Sequence, residues 1–296
     1  MQKEVRMNYI DLHVHTNKSD GTISPCEVAE LAVKNKLTAI AITDHDTVAG
    51  VEEAINACST YNREGHNLTI IPGVEISAEY HGRDIHILGL FINYQNKEFK
   101  EILNKTLKER ASRNETMASR LRADGIPIYL KDLVFDEPET VITRAHFARY
   151  LEEVGIVKSK EDAFTKYLGH HTKYYVPRKY LSTKDAIELI LLADGIPVLA
   201  HPLLYNLSLE ELDELISMLK SYGLVGLETI YSTHSDMDEG ILRRYVNKYE
   251  LLMTGGSDFH GTNKPQIELG TGFGNLKVQD TLLEDLYQFK QSHHKQ

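Results

Sequence analysis

The sequence contains no tryptophan and only two cysteines, Cys26 and Cys58, among its 296 residues. A chain of this length can bury enough apolar surface to fold without disulfides, which are rare in reducing compartments. Both cysteines fall in predicted helices, and their spacing matches no metal-binding motif. We therefore expect two ordinary thiols and a cytoplasmic location.

Long hydrophobic runs are also absent. No apolar stretch approaches the ~20 residues that a membrane-spanning helix requires. The opening segment, Met1-Gln2-Lys3-Glu4-Val5-Arg6, lacks the apolar core of a secretory signal. These absences predict a protein without a membrane partner.

Basic residues are fewer than acidic ones, with 33 Lys and Arg against 43 Asp and Glu, and the formal net charge is -10. Broad nonspecific binding of nucleic acid depends on basic surface that displaces counterions from phosphates. We therefore expect no long duplex partner. A nucleotide or a short oligonucleotide, held by metal ions and a few cations, stays possible, and the sequence leaves the oligomeric state open.

Seven short apolar segments predict strands, and helical patterns separate most of them. One helix start is marked by a capping box, with Ser24 as N-cap, Pro25 at the first position and Glu27 three residues on. Such alternation implies parallel pairing and favours closure into a barrel. The predicted strands are 7–10, 38–43, 68–71, 84–91, 196–200, 224–229 and 251–254.

The alternation is interrupted between residues 95 and 181, where strand signals are few and a long charged amphipathic helix is predicted from Lys97 to Leu121. We interpret 7–94 and 182–291 as one discontinuous barrel. Residues 95–181 are then a helical insertion that forms a cap over the active site.

Histidine and carboxylate side chains recur where the predicted strands end, and such ends form the active face of a barrel. His13 and His15 are two residues apart, so they aim to the same side of an extended segment. Taken alone, this pair also fits two incidental polar residues at a strand edge. The full set of candidate ligands is His13, His15, Asp20, His45, Glu75, His86, His201, Asp258 and His260.

One zinc ion uses about four ligands, so nine such groups imply several ions, and Glu75 is the candidate bridge between them. Clustered divalent ions with nitrogen and oxygen ligands are typical of phosphoester hydrolysis. A serine nucleophile elbow, a Walker phosphate loop and a Gly-x-Gly-x-x-Gly after the first strand are all missing. The remaining mechanism is attack by a metal-activated water.

Five ordered motifs resemble those of the polymerase-and-histidinol-phosphatase (PHP) family of metal phosphoesterases. They are Asp11-Leu12-His13-Val14-His15-Thr16, Thr43-Asp44-His45, Gly73-Val74-Glu75-Ile76, Ala200-His201-Pro202 and Ser257-Asp258-Phe259-His260. The resemblance covers the whole predicted barrel. It implies an α/β fold, a distorted seven-stranded (β/α)7 barrel with a helical insertion, and a site for three divalent ions.

The resemblance implies one ligand set for each of the three ions, with Glu75 shared by two sets. The ions would be manganese, iron or zinc. The first ion would be held by His13, His15, Glu75 and Asp258. The second would be held by Asp20, His45 and His260, and the third by Glu75, His86 and His201.

The predicted insertion contains Ile142-Thr143-Arg144-Ala145-His146-Phe147-Ala148, which together with Tyr174-Tyr175-Val176-Pro177 resembles the insert of PHP enzymes acting on nucleotides. That branch removes phosphate from nucleoside 3′,5′-bisphosphates or degrades short 5′-phosphorylated oligoribonucleotides. Arg144 and His146 would then hold a phosphate, since a guanidinium binds phosphate oxygens through a planar fork. The catalytic residues would be Asp20, His45, His260, Arg144 and His146.

Several of these roles have alternatives. Arg144 also fits an exposed helix salt bridge, and Ala145 stands where the branch usually has proline. Arg178 and Lys179 are weaker candidates for the same phosphate. Glu228 fits either a residue that orients a ligand or a salt bridge at the barrel rim.

Further polar residues are assigned supporting or surface roles. Asp44 is predicted to orient a ligand or cap the loop, and Asp46 to cap a helix or loop. His66, His81 and His234 are predicted to lie on the surface.

The leading hypothesis is a hydrolase that acts on phosphate monoesters or terminal phosphodiesters of nucleotides. The first alternative is a histidinol-phosphate-type phosphatase, although so small an amino-alcohol phosphate needs no long cap. A noncatalytic module for metal or phosphate is the second alternative, and intact ligands argue against it. An accessory domain of a DNA polymerase is disfavoured because the chain contains no polymerase module.

Overall fold

The computed structural model describes residues 8–134, 140–177 and 181–293. Its eight strands in these ranges are β1 (Ile10–Val14), β2 (Ala39–Ile42), β3 (Thr69–Tyr80), β4 (Arg83–Leu90), β5 (Leu181–Ser182), β6 (Ile196–Leu199), β7 (Gly226–Tyr231) and β8 (Leu252–Gly256). Seven of them follow the order β1-β2-β3-β4-β6-β7-β8, and β5 pairs with β3 outside this path.

The chain after β8 pairs with β1 and nearly closes the barrel. The backbone N–H of Asp258 donates to the carbonyl of His13 at 2.9 Å, and that of His15 donates to the carbonyl of Phe259 at 3.0 Å. Further along, the N–H of Ile10 donates to the carbonyl of Val278 at 2.9 Å. The predicted distorted seven-stranded barrel is therefore confirmed.

The prediction that all strands pair in parallel is wrong, because β4 runs antiparallel to both β3 and β6. No crossover helix joins β3 to β4 in the described chain. The connection is a two-residue turn at His81 and Gly82, whose φ angles are 49° and 77°. Two consecutive positive φ angles make a hairpin turn whose twist matches that of the strands. This hairpin extends β3 to Tyr80, well beyond the predicted 68–71.

The first strand is also displaced from its prediction. Residue 7 lies outside the described residues, and β1 extends from Ile10 to Val14, beyond the predicted end at residue 10. His13 therefore lies within β1, and His15 follows it directly. The whole strand is buried, which is the environment of a central parallel strand.

The helices form where the apolar spacing and caps predict them. They are α1 (Pro25–Lys34), α2 (Val51–Arg63), α3 (Lys97–Ala123), α4 (Arg144–Glu153), α5 (Lys160–Ala163), α6 (Thr183–Leu192), α7 (Leu209–Tyr222), α8 (Asp236–Tyr249) and α9 (Thr281–His293). The capping box of Ser24 and Glu27 is present at the start of α1. The sequence also predicts helices around 131–134 and 160–168, and both differ from the structure. Only a 3-10 turn forms at Leu130–Asp132, and α5 continues into a π-helical turn, Phe164–Leu168.

Buried apolar side chains form layers inside and outside the barrel. The interior includes Leu12, Leu88 and Val198, and helices α6 and α7 cover the outer face of β3 and β4. The helices of the 95–181 segment share a further core, which contains Met117 and Phe147. This separate core agrees with an insertion, while the domain boundaries themselves stay a prediction.

Among the described residues, no helix combines the length and apolar character needed to cross a bilayer.

Closure of the barrel requires glycine at position 256, because a Cβ there would lie 2.5 Å from the backbone nitrogen of His13. We expect Gly256→Ala to destabilise the protein by about 1–3 kcal/mol through overpacking. The matched control is Gly240→Ala in exposed α8, where nothing lies within 4 Å of an added Cβ. That change should stabilise by about 0.5–1 kcal/mol. Urea unfolding checks both, and equal midpoints would contradict this account of the closure.

Candidate metal centre

Glu75 lies at the centre of the candidate site. Its carboxylate is buried, and its Oε1 lies 2.9 Å from His86 Nδ1 and 3.0 Å from His201 Nε2. Its Oε2 lies 2.9 Å from His45 Nδ1 and 3.2 Å from His15 Nε2. The structure thus brings imidazoles from four separate parts of the chain to one carboxylate.

The strands determine how these side chains meet. Glu75 belongs to β3, and the antiparallel register pairs Ser77, two residues on, with His86 of β4. Residues two apart share a face of a strand, so Glu75 and His86 point to the same side. His201 follows β6 with a φ of 25°, and Asp258 follows β8 with a φ of 57°. Such unfavourable backbone conformations concentrate at functional sites.

Asp20 forms a second cluster beside Glu75. Its Oδ1 lies 3.2 Å from His260 Nε2 and 3.7 Å from His15 Nδ1. Its Oδ2 lies 3.7 Å from His45 Nε2. His15 and His45 therefore stand between the two carboxylates.

Asp258 approaches the remaining histidine of β1. Its Oδ1 lies 3.6 Å from His13 Nε2 and 3.4 Å from His15 Nε2. Its Oδ2 accepts hydrogen bonds from Tyr231 Oη at 2.7 Å and from Lys264 Nζ at 2.5 Å. One oxygen is thus held by the protein, and the other faces the imidazoles.

The donor set fits divalent cations. His201 Nδ1 is buried without a hydrogen-bond partner, a state that costs about 1–3 kcal/mol unless something else satisfies the group. Asp20 Oδ1 and His45 Nδ1 also make no hydrogen bond and meet His260 and Glu75 only as ion pairs. Four groups have ligand atoms within 4.8 Å of one another. They are His15/Asp20/His45/His260, His13/His15/Asp258, His13/Glu75/His201 and His45/Glu75/His86.

All nine predicted ligands therefore lie in one connected cluster, but the groups cross the predicted ligand sets. His15 belongs to two groups, and His86 and His201 meet Glu75 in different groups. Which residue serves which ion stays a prediction.

Burial and mutual attraction set the charges in this cluster. Burial raises the pKa values of Glu75, Asp20 and Asp258, but the nearby imidazoles, with Lys264 beside Asp258, hold all three well below the usual range. Burial lowers the pKa of His45, and the charges of Glu75 and Asp20 outweigh it and raise the value to about 9. A bound cation must therefore displace protons from this cluster.

Glu228 supports two of the predicted ligands. Its Oε1 lies 2.9 Å from His13 Nδ1, and its Oε2 accepts the backbone N–H of His201 at 2.7 Å. A carboxylate on the far nitrogen of a ligating imidazole fixes the ring and raises its basicity. The sequence left two roles open for Glu228, and this geometry favours orienting a ligand over a salt bridge at the barrel rim.

Asp44 holds the loop between His15 and Asp20, as predicted. Its Oδ1 accepts from the backbone N–H of Thr16 at 2.8 Å and from Ser19 Oγ at 2.6 Å. Its Oδ2 accepts from Thr16 Oγ1 at 2.7 Å. The carboxylate thereby fixes the path by which Asp20 returns to the site.

Two supporting predictions are wrong in whole or in part. Asp46 does not cap α2, whose N-cap is Gly50, and its side chain instead forms a buried ion pair with Arg110 and accepts the backbone N–H of Ser77 at 2.9 Å. His234 is buried rather than exposed, and its Nδ1 lies 2.9 Å from the carbonyl of Thr229. His66 and His81 are exposed, as predicted.

Arg144 and His146 are placed differently by α4. Arg144 lines a cavity of about 160 Å³ beside the cluster and donates to Asp84 Oδ2 at 2.6 Å. His146 is buried, and its Nδ1 accepts the backbone N–H of Thr143 at 3.0 Å. Burial lowers its pKa to about 4, so the ring is neutral. His146 thus supports the start of α4 and is not brought to this cavity, while Arg178 and Lys179 lie outside the described residues.

Sequence reasoning missed two arginines that line the same cavity, Arg110 and Arg113 of α3. Both are buried, at 5% and 7% exposure. The signal was available, because they lie on the helical face that also buries Leu103 and Met117. A charged residue at a buried position of an amphipathic pattern is unusual unless it has a partner.

The fold and this cluster define a metal-dependent phosphoesterase of the α/β class, and therefore a hydrolase of phosphoric esters. The PHP domain model matches residues 11–253, so the chain belongs to the PHP family, which confirms the resemblance inferred from its motifs.

Several named relatives align with this chain over most of its length. It is 35% identical over 274 residues to a Haemophilus influenzae 5′-3′ exoribonuclease, covering 92% of this chain and 96% of that protein. It is 32% identical over 266 residues to a Chromobacterium violaceum 3′,5′-nucleoside bisphosphate phosphatase, covering 89% and 91%. A solved Bifidobacterium adolescentis structure, assigned as a metal-dependent phosphoesterase, has a TM-score of 0.82 at 31% identity, covering 94% and 95%.

We expect Glu228→Gln to weaken metal binding by roughly 10–100-fold, because an amide orients His13 less firmly than a carboxylate. Metal content after equilibration with graded manganese concentrations measures the loss. Glu101→Gln, at an exposed position of α3, is the control and should bind metal normally. Normal binding by Glu228→Gln as well would exclude the orienting role.

Proposed function

We propose that this protein hydrolyses phosphate esters of nucleotides that carry a second phosphate. The substrates would be nucleoside 3′,5′-bisphosphates, with mononucleotides and short 5′-phosphorylated oligonucleotides as related possibilities. The observation that carries the proposal is the arginine-lined cavity that opens directly beside the histidine and carboxylate cluster.

One wall of the cavity belongs to the cluster and includes Asp20, His45 and His86. The same cavity is also lined by the guanidinium groups of Arg110, Arg113 and Arg144, and by the carboxylate of Asp84 that pairs with Arg144. A substrate held there would meet both metal ligands and planar cationic forks. This combination suits a molecule with two phosphates better than one with a single phosphate.

We propose three divalent ions of manganese, iron or zinc, held by the nine cluster residues: His13, His15, Asp20, His45, Glu75, His86, His201, Asp258 and His260. Such ions activate water and neutralise phosphoryl oxygens. Residues around the ions would bind the rest of the substrate. Arg144 and Arg113 bind a phosphate away from the reacting bond, and buried surroundings strengthen these charge interactions.

A second opening to the cluster, about 260 Å³ in volume, is lined by Lys160 and Lys264. Lys264 is paired with Asp258, whereas Lys160 comes from the start of α5 and donates to Asn263 Oδ1 at 3.2 Å. Cations therefore line both openings to the cluster, which favours an anionic substrate.

The names of the relatives support the same substrate class, since one is an exoribonuclease and one a nucleoside bisphosphate phosphatase. A histidinol-phosphate-type activity is disfavoured, because a cationic amino alcohol would face the guanidinium groups of the cavity. The cytoplasmic location and the absence of a long duplex partner stay predictions from the sequence.

Phosphate release from adenosine 3′,5′-bisphosphate, AMP, a short 5′-phosphorylated oligoribonucleotide and histidinol phosphate tests the proposal. With added manganese, we expect the bisphosphate or the oligonucleotide to have the highest kcat/KM, because only these substrates use both ends of the site. A chelator should abolish turnover of all four. Highest turnover of histidinol phosphate would refute the proposed substrate.

Arg113→Met should raise KM for the bisphosphate by about tenfold or more, because a charged hydrogen bond contributes about 1.5–3 kcal/mol. Turnover of a simple monophosphate should change little. The control is Arg243→Met on α8, an exposed arginine that is paired with Glu239 and lines neither opening to the cluster. Equal effects of Arg113→Met on both substrates would show that Arg113 does not bind the second phosphate.

Metal ligation is tested with Asp258→Asn, which keeps the size of the side chain but loses its charge. We expect activity to fall by roughly 100-fold or more and metal content to fall with it. Asp285→Asn, at an exposed position of α9, is the control. Full activity of Asp258→Asn would refute its assignment as a ligand.

A further inference from the structure

The loop that carries Asp20 is held by the first described residues after 135–139. The backbone N–H of Val141 donates to the carbonyl of Lys18 at 2.9 Å. Thr140 Oγ1 donates to the carbonyl of Asn17 at 2.7 Å. The insertion thus pairs with the backbone of this loop just before Asp20.

A third contact reaches the side chain of the predicted ligand itself. Thr143 Oγ1 donates to Asp20 Oδ2 at 2.9 Å, and both residues are buried, at 6% and 5% exposure. The same hydroxyl accepts the backbone N–H of Ala145 at 3.1 Å as the N-cap of α4. A hydroxyl has one proton, and the carboxylate is the acceptor that gains most from it.

This hydrogen bond distinguishes the two oxygens of Asp20. Oδ2 is occupied by Thr143, whereas Oδ1 is buried without a hydrogen-bond partner and faces His260 Nε2 at 3.2 Å. Thr143 therefore orients the carboxylate so that its unsatisfied oxygen points into the ligand group.

The insertion also reaches Asp20 indirectly, through Asn263 of the barrel. Asn263 Nδ2 donates to the carbonyl of Asp20 at 2.7 Å. Lys160, at the start of α5, donates to the carbonyl of Asn263 at 3.0 Å. One predicted ligand is therefore contacted by α4 directly and by α5 through Asn263.

We propose that Thr143 is a positioning residue for Asp20, and that the insertion completes the metal group of His15, Asp20, His45 and His260. The inference rests on the proposed metal ligands. It assigns to the insertion a role in building the metal centre, in addition to covering it. The competing explanation is that the Thr143 hydroxyl only caps α4.

The test compares Thr143→Val with Thr143→Ser in the full chain, by titration with manganese and measurement of bound metal per chain. Thr143→Val should bind one equivalent about 10–100-fold more weakly, because the orienting hydrogen bond is lost. Thr143→Ser keeps the hydroxyl and should bind like the wild type. Melting temperatures without metal report the loss of the helix cap separately.

Ser208→Ala is the matched control. It removes the N-cap hydroxyl of α7, which accepts the backbone N–H of Glu211 at 3.1 Å and contacts no predicted ligand. It should keep the full metal content. If Thr143→Val also binds all its metal with wild-type affinity and only melts earlier, the hydroxyl is merely a cap and the proposal is overturned. Weak binding by Thr143→Ser would overturn it as well.

Asn263→Ala is a second variant that leaves the cap of α4 intact, and it should weaken the same equivalent of metal. Normal binding by this variant, should Thr143→Val fail to fold, would overturn the proposal. His260→Ala separates this inference from the metal assignment. If His260→Ala binds as much metal as the wild type, the assignment itself fails, and the inference fails with it.

Discussion

The attraction between one buried carboxylate and the imidazoles around it is the interaction on which the rest of the site depends. Glu75 contacts His86 and His201 through one oxygen and His45 and His15 through the other. So much buried charge is tolerable only when opposite charges or cations compensate it. The barrel supplies this compensation by ending its strands at a common point, and the same crowding creates the affinity for divalent ions.

The departure from a regular parallel barrel has a functional consequence. Because β4 returns antiparallel beside β3, His86 lies next to Glu75 on the same face of the sheet. A helical crossover would have made the next strand parallel to β3 and separated these residues. The hairpin at His81 and Gly82 therefore places a predicted ligand, His86, that no strand end would supply.

The 95–181 segment contributes more than cover. Its long helix α3 places two buried arginines against the cluster, and α4 fixes Asp20 through the hydroxyl of Thr143. In the proposed function, these helices would both select the substrate and position a ligand. A change in the packing of this segment would then alter the metal centre, because the buried hydrogen bond between Thr143 and Asp20 joins the two.

The sequence alone determined the family, the nine candidate ligands and most helices, because short motifs such as Thr43-Asp44-His45 and capping boxes such as Ser24 with Glu27 are local patterns. Distant partners could not be predicted in this way. The ion pair of Asp46 with Arg110 joins a strand end to the insertion across 64 positions, and the burial of His234 depends on how its loop packs against β7. Only the tertiary structure decided these contacts, since periodicity identifies which face of an element is buried but not what that face meets.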